Sequence, residues 1–138
     1  MSRSDRRHVF SGTPWEAQYG YARAVRVGDV VEVAGTTAVD AEGKIVAPGD
    51  AYQQTRYSLD KIGRALRELG ADFTDVVRTR AFVTDIAIWQ EVGRAHAETF
   101  GDVRPAATLV QVAALVHPDL LVEIEVTAHV RGSSAPHR

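Results

Sequence analysis

The stretch from Arg104 to Val130, RPAATLVQVAALVHPDLLVEIEVTAHV, decides how this chain is read. In its second half Glu123, Glu125, Thr127 and His129 interleave with Val122, Ile124, Val126, Ala128 and Val130. A strand repeats every two residues, so this alternation gives one apolar and one polar face. The whole segment predicts two strands joined by a turn, a hairpin that closes the domain. On the first strand, residue 107 shares its face with Leu109 and Gln111.

Outward from this segment, strands and helices alternate. A helix is expected from about Ala87 to Phe100, with Ile88, Trp89, Val92, Ala95 and Thr99 facing inward and Gly101 as its stop. Val76–Thr84 predicts a strand with Val77, Thr79, Ala81 and Val83 on one face and Arg78, Arg80 and Phe82 on the other. Tyr52, Thr55, Leu59, Ile62, Leu66 and Leu69 form one helical stripe. Asp50 and Gln53 make a capping-box pattern at its start, and Gly70 supplies its end. Ala22–Val27 and Val30–Ala34 flank Gly28-Asp29 as a hairpin. His8–Ser11 predicts a short edge strand, followed by a loop from Gly12 to Gly20. The order β-β-β-α-β-α-β-β predicts an α+β domain, a mixed sheet with two helices on one face. Arg80 and Glu123 should share the other face, which must meet water or another subunit.

Bulk properties narrow the function. The chain has 138 residues, 45% of them hydrophobic and 25% charged, as expected of one globular domain over residues 1–131. Residues 132–138 (GSSAPHR) are small and polar and are expected to be disordered. With a net charge of −2 and no basic aromatic stripe, nucleic acid and membrane are not expected partners. The absence of cysteine excludes disulfides and thiolate chemistry. His8, His96, His117, His129 and His137 have no metal-site spacing, so no metal is expected. His96 is expected to be structural, and His129 is a minor acid–base candidate. The charged N-terminus has no apolar core of a secretory signal, which predicts a cytoplasmic protein.

The segment Pro105-Ala106-Ala107-Thr108-Leu109-Val110, followed by Val122-Glu123-Ile124-Glu125, resembles the C-terminal signature of the RidA/YjgF family of reactive-intermediate deaminases, P-A-R-[ST]-x-V and then [IV]-E-I-E. Tyr21 matches the tyrosine of the family's G-P-Y, Gly35 matches the glycine of S-G-Q, and Val77–Asp85 matches V-x-K-T-T-V-F-V-x-D. The resemblance covers about Tyr19 to Val130. It implies a chorismate-mutase-like fold and a homotrimer with clefts between subunits. It also implies cofactor-free hydrolysis of imino or enamine acids to keto acids and ammonia.

The resemblance assigns Glu123 to the water-holding, catalytic position. Tyr21, Gly35, Thr36, Ala107 and Leu109 fall at ligand-contacting positions. Ala107 stands where the family has its substrate-anchoring arginine, Thr36 replaces a glutamine, and Leu109 and Gly93 replace a common cysteine and asparagine. Losing one partner of a desolvated charge pair costs about 2–5 kcal/mol of binding. Standard 2-iminobutanoate/2-iminopropanoate deaminase activity is therefore not implied. Arg80 is the candidate for the missing cation, against the alternative of an intersubunit salt bridge to Glu123 or Glu125. Trp15 is read as a loop anchor or a lid. The second functional reading is a non-catalytic trimeric protein that binds a small metabolite.

Overall fold

A computed structural model describes residues 5–131; the expected tail at 132–138 and His137 lie outside them. The elements are β1 (Arg6–Val9), α1 (Pro14–Tyr19), β2 (Ala24–Val27), β3 (Val30–Thr36), α2 (Ala51–Glu68), β4 (Val76–Val83), α3 (Trp89–Phe100), β5 (Ala106–Gln111) and β6 (Val122–His129). They form a six-stranded mixed sheet in the order β1-β2-β3-β6-β4-β5. Val31, Val33, Val83, Val122, Ile124 and Val126 are buried on one face, in one core with Leu59, Ile62 and Leu66 of α2 and Val92 and Phe100 of α3.

The expected closing hairpin does not form. β5 pairs parallel with β4, and β6 pairs antiparallel with both β3 and β4. The connection from Val112 to Leu121 is too long for a tight hairpin turn. It carries the chain past β4 instead, so the neighbour of Ala107 is Thr79 on β4. Alternation put Glu123, Glu125 and Arg80 on one face, but it carries no information about which strands are neighbours.

Smaller corrections have local causes. The first strand is Arg6–Val9 rather than His8–Ser11. The expected loop at 12–20 contains α1, a third helix, with Pro14 at its first turn and Gly20 closing it in the left-handed conformation (φ 88°). In β4 one extra residue is inserted between Val76 and Arg78 relative to β6. That bulge leaves Val77 exposed and puts Val76 in the core. A 3-10 turn, Ile86–Ile88, precedes α3, and Trp89 at the first position of the helix is exposed rather than inward, while Val92 and Ala95 are buried as expected. At α2 the Asp50 carboxylate accepts from the Gln53 N–H at 3.0 Å, as the capping pattern predicts.

Candidate functional site

The uncovered sheet face gathers the chemistry. On β6, Val122, Ile124, Val126 and Ala128 are buried, while Glu123, Glu125 and Thr127 are half-buried on the opposite side. The register sets Glu125 beside Arg80 and Glu123 beside Phe82. Arg80 Nη1 lies 3.3 Å from Glu125 Oε2, so the salt bridge forms within one chain, across neighbouring strands. Both side chains are more than a third exposed, and a pair of that kind contributes about 0–1 kcal/mol.

Gly35 sits in a second bulge. Between the pairs Val33–Val126 and Thr36–Ile124, β3 advances one residue more than β6. This turns the glycine toward Glu123: a Cβ at position 35 would lie 2.9 Å from Glu123 Cδ and closer still to its Oε2. The carboxyl therefore lies over backbone that no other residue leaves open. Burial raises the pKa of Glu123; Arg23 acts to lower it and Glu125 to raise it further.

Arg23 was not singled out from sequence. Its Nη2 donates to Gly35 O at 2.7 Å, and its Cζ lies 5.8 Å from the Tyr21 ring centroid. Its Nε is buried with no acceptor among the described residues. Alternation of Tyr21, Arg23 and Val25 ahead of a strand was the available signal. Nearby, Lys61 Nζ donates to Thr37 O at 2.9 Å and Val39 O at 3.0 Å. Burial, then Arg23 and Arg64, push its pKa down to about 8.

The other sequence candidates divide. Tyr21 is half-buried, edge-on to Tyr19 with centroids 5.9 Å apart. It borders a hollow of about 640 Å3 that is also lined by His8, Phe10, Glu16, Glu32 and Glu125. Trp15 is exposed on α1. Thr36 is buried, its hydroxyl donating to Ala34 O at 2.8 Å. Ala107 and Leu109 pair with Thr79 and Ala81, which face the helices; Leu109 packs against the core. Ala107 thus lies on the opposite face of the sheet from Glu123. His129 is exposed at the end of β6, and His96 is held between Thr79 Oγ1 (2.9 Å) and the Phe100 ring (4.7 Å). Gly93 has open space where a side chain would stand. Among the described residues no three His, Asp or Glu side chains are placed to hold a metal ion. No helix among them is long and apolar enough to cross a membrane.

Known proteins share this arrangement. The family model described as endoribonuclease L-PSP matches residues 12–130. An uncharacterized protein of Streptomyces coelicolor is 42% identical over 89% of this chain and 91% of its own length. The 3-aminoacrylate deaminase RutC of Acinetobacter baylyi is 37% identical over 80% of this chain and 86% of its own length. Among solved structures, a Mycobacterium tuberculosis member of the YjgF/YER057c/UK114 family superposes with a TM-score of 0.82. It is 49% identical and covers 91% of this chain and 99% of its own. With the mixed sheet, the helix-covered face and the Glu123–Gly35 contact in place, these likenesses make the chain a member of the RidA/YjgF (endoribonuclease L-PSP) family.

Proposed function

We propose that this protein is a cofactor-free hydrolase of small imine or enamine metabolites, working at clefts between the subunits of a homotrimer. The observation that carries the reading is the Glu123 carboxyl, half-buried against Gly35 with its pKa raised by burial. A carboxyl in that setting can hold a water at the imine carbon and take its proton as the C–O bond forms. Collapse of the resulting carbinolamine expels ammonia and leaves the carbonyl. The similarity to a 3-aminoacrylate deaminase supports this class of reaction.

The trimer reading is supported by the uncovered face. A mixed sheet needs both faces covered or solvated, and here Phe10, Tyr19 and Val110 remain exposed. Ala107 and Glu123 lie on opposite faces of one sheet, so a ligand touching both positions needs a second copy of the chain. Sedimentation giving a monomer would remove the intersubunit cleft.

One observation favours a second reading, a trimeric metabolite-binding protein without turnover: Ala107 offers no guanidinium. The test is imine hydrolysis, with the imine generated in situ by an amino-acid oxidase. Native protein, Glu123→Gln and Ala107→Arg are compared. The hydrolase reading expects native turnover that Glu123→Gln abolishes with the fold retained. If neither the native chain nor a folded, trimeric Ala107→Arg hydrolyses the imine, binding without turnover is left.

A further inference from the structure

We propose that Arg23 is the anion-binding residue of the cleft, so that a ligand carboxylate is held from β2, beside Gly35, instead of from position 107. The inference rests on reading the Glu123–Gly35 edge as a ligand site. Three neighbouring strands meet there: Arg23 leads into β2 opposite Ala34, Gly35 lies in the bulge of β3, and the Glu123 side chain reaches that glycine from β6. Arg23 Nη2 donates to Gly35 O at 2.7 Å and the Glu123 carboxyl lies where a Gly35 Cβ would stand, so guanidinium and carboxyl converge on one glycine. Groups this close suit a short keto or imino acid, its carboxylate on Arg23 and its reacting carbon toward Glu123.

The other arginines of this face are engaged: Arg6, on the rim of the hollow, donates from Nε to His8 Nε2 at 3.4 Å. Arg80 is paired with Glu125, and Arg78 Nη2 donates to Thr108 Oγ1 at 2.8 Å. Among the described residues the Arg23 side chain makes one hydrogen bond, to Gly35 O, and no ion pair, although its charge acts on Glu16 and Glu123. Its buried Nε has no acceptor among the described residues, although a guanidinium carries five donors. Lys61 is close enough for Arg23 to disfavour its charge, and an anion at this spot relieves that repulsion. The Tyr21 ring stands beside the guanidinium, its centroid 5.8 Å from Arg23 Cζ.

The test is calorimetric titration of the full chain with sodium 2-oxobutanoate and with uncharged 2-oxobutanamide. Arg23→Gln is expected to weaken the acid by about 30-fold or more, the usual loss for a truncated charge pair. The amide should bind as it does to native protein. Equal loss for both probes, no loss for the acid, or native protein binding neither probe overturns the proposal. Should Arg23→Gln not fold, Arg23→Lys replaces it. An ammonium keeps a donor for Gly35 O but not the two-pronged contact, so only the acid should weaken, by about tenfold; unchanged acid affinity overturns the proposal. Hydrolysis separates this from the broader reading. Imine turnover with an unchanged KM in Arg23→Gln rejects the anchor alone. Acid-selective loss of binding without turnover in any variant upholds the anchor and rejects the hydrolase.

Discussion

The carboxyl of Glu123 occupies the space that a side chain at Gly35 would fill. The two residues therefore constrain each other: the bulge in β3 brings the glycine under the acid, and the missing Cβ lets the acid lie against backbone. Gly35→Ala should push the carboxyl aside. Because the clashing atoms are the end of a flexible side chain, stability should fall by only about 1 kcal/mol, the mild end of overpacking costs. Catalysis is far less tolerant, since a displacement of about 1 Å can cost roughly 100-fold. The expected outcome is a kcat for imine hydrolysis lower by about that factor with a near-native melting temperature. A native kcat in Gly35→Ala would mean that the carboxyl position is irrelevant to turnover.

Glu123 should also be a burden on the fold. Its folded pKa is raised, burial being the largest cause. For such a group the stabilising contribution is present below the unfolded value, about 4.3, and is lost as pH rises through the folded value. Glu123→Gln removes the charge and this loss with it. The variant should melt above native protein at pH 7, and the gap should close as pH falls toward 4. Melting curves across that range check it; a variant that melts lower than native at pH 7 would contradict the assignment of burial as the dominant cause.

The parity of this site was legible in the sequence, and its neighbours were not. Alternation along Val122–His129 correctly placed Glu123 and Glu125 together on the side away from the core, and Arg80 with them. The same alternation could not reveal that β4 stands between β5 and β6, because pairing is decided by the length of connections and by burial of the whole sheet. The ten-residue connection was the clue. Bulges defeat parity as well: one inserted residue at Val77 reversed its side, and one beside Gly35 created the contact with Glu123. Arg23 escaped notice because no motif marks it; it matters only through what β3 and β6 bring beside it. α1, six residues long, is too short for a periodic signal.

Lys61 should titrate as no ordinary lysine does. Its pKa is pushed down to about 8 by burial and by the charges of Arg23 and Arg64. The chain contains a single other lysine, Lys44, so a spectrum of isotopically dimethylated side chains is simple to assign. One lysine resonance should move with a midpoint near 8. In Arg23→Gln that midpoint should rise, since a repelling charge has gone. For a base with a depressed folded pKa, stabilisation is complete above the unfolded value and is lost as pH falls through about 8. A midpoint near 10.4, the ordinary lysine value, would show that the ammonium reaches water freely.

Gln54 should be the least replaceable residue of α2. It is fully buried, and its amide is used from both ends. Nε2 donates to Asp119 O at 2.9 Å and to Ala47 O at 3.3 Å, while Oε1 accepts from Leu121 N at 2.9 Å. These bonds pin the connection between β5 and β6 to the helix just before Glu123 enters the sheet. Gln54→Leu keeps the volume and adds apolar surface, worth roughly 1–2 kcal/mol in its favour. Against that, one backbone N–H and two carbonyls lose their partner, at about 1–3 kcal/mol for each group that water cannot reach. The loss outweighs the gain, and Gln54→Leu should be destabilised by about 2–4 kcal/mol in denaturant unfolding. Gln54→Glu separates bonding from packing: it retains an acceptor for Leu121 N but no donor for Asp119 O, so it should also unfold early at pH 7 and recover as the pH is lowered and the acid takes up a proton. Equal stability of both variants with native protein would mean that the connection is held by something other than this amide.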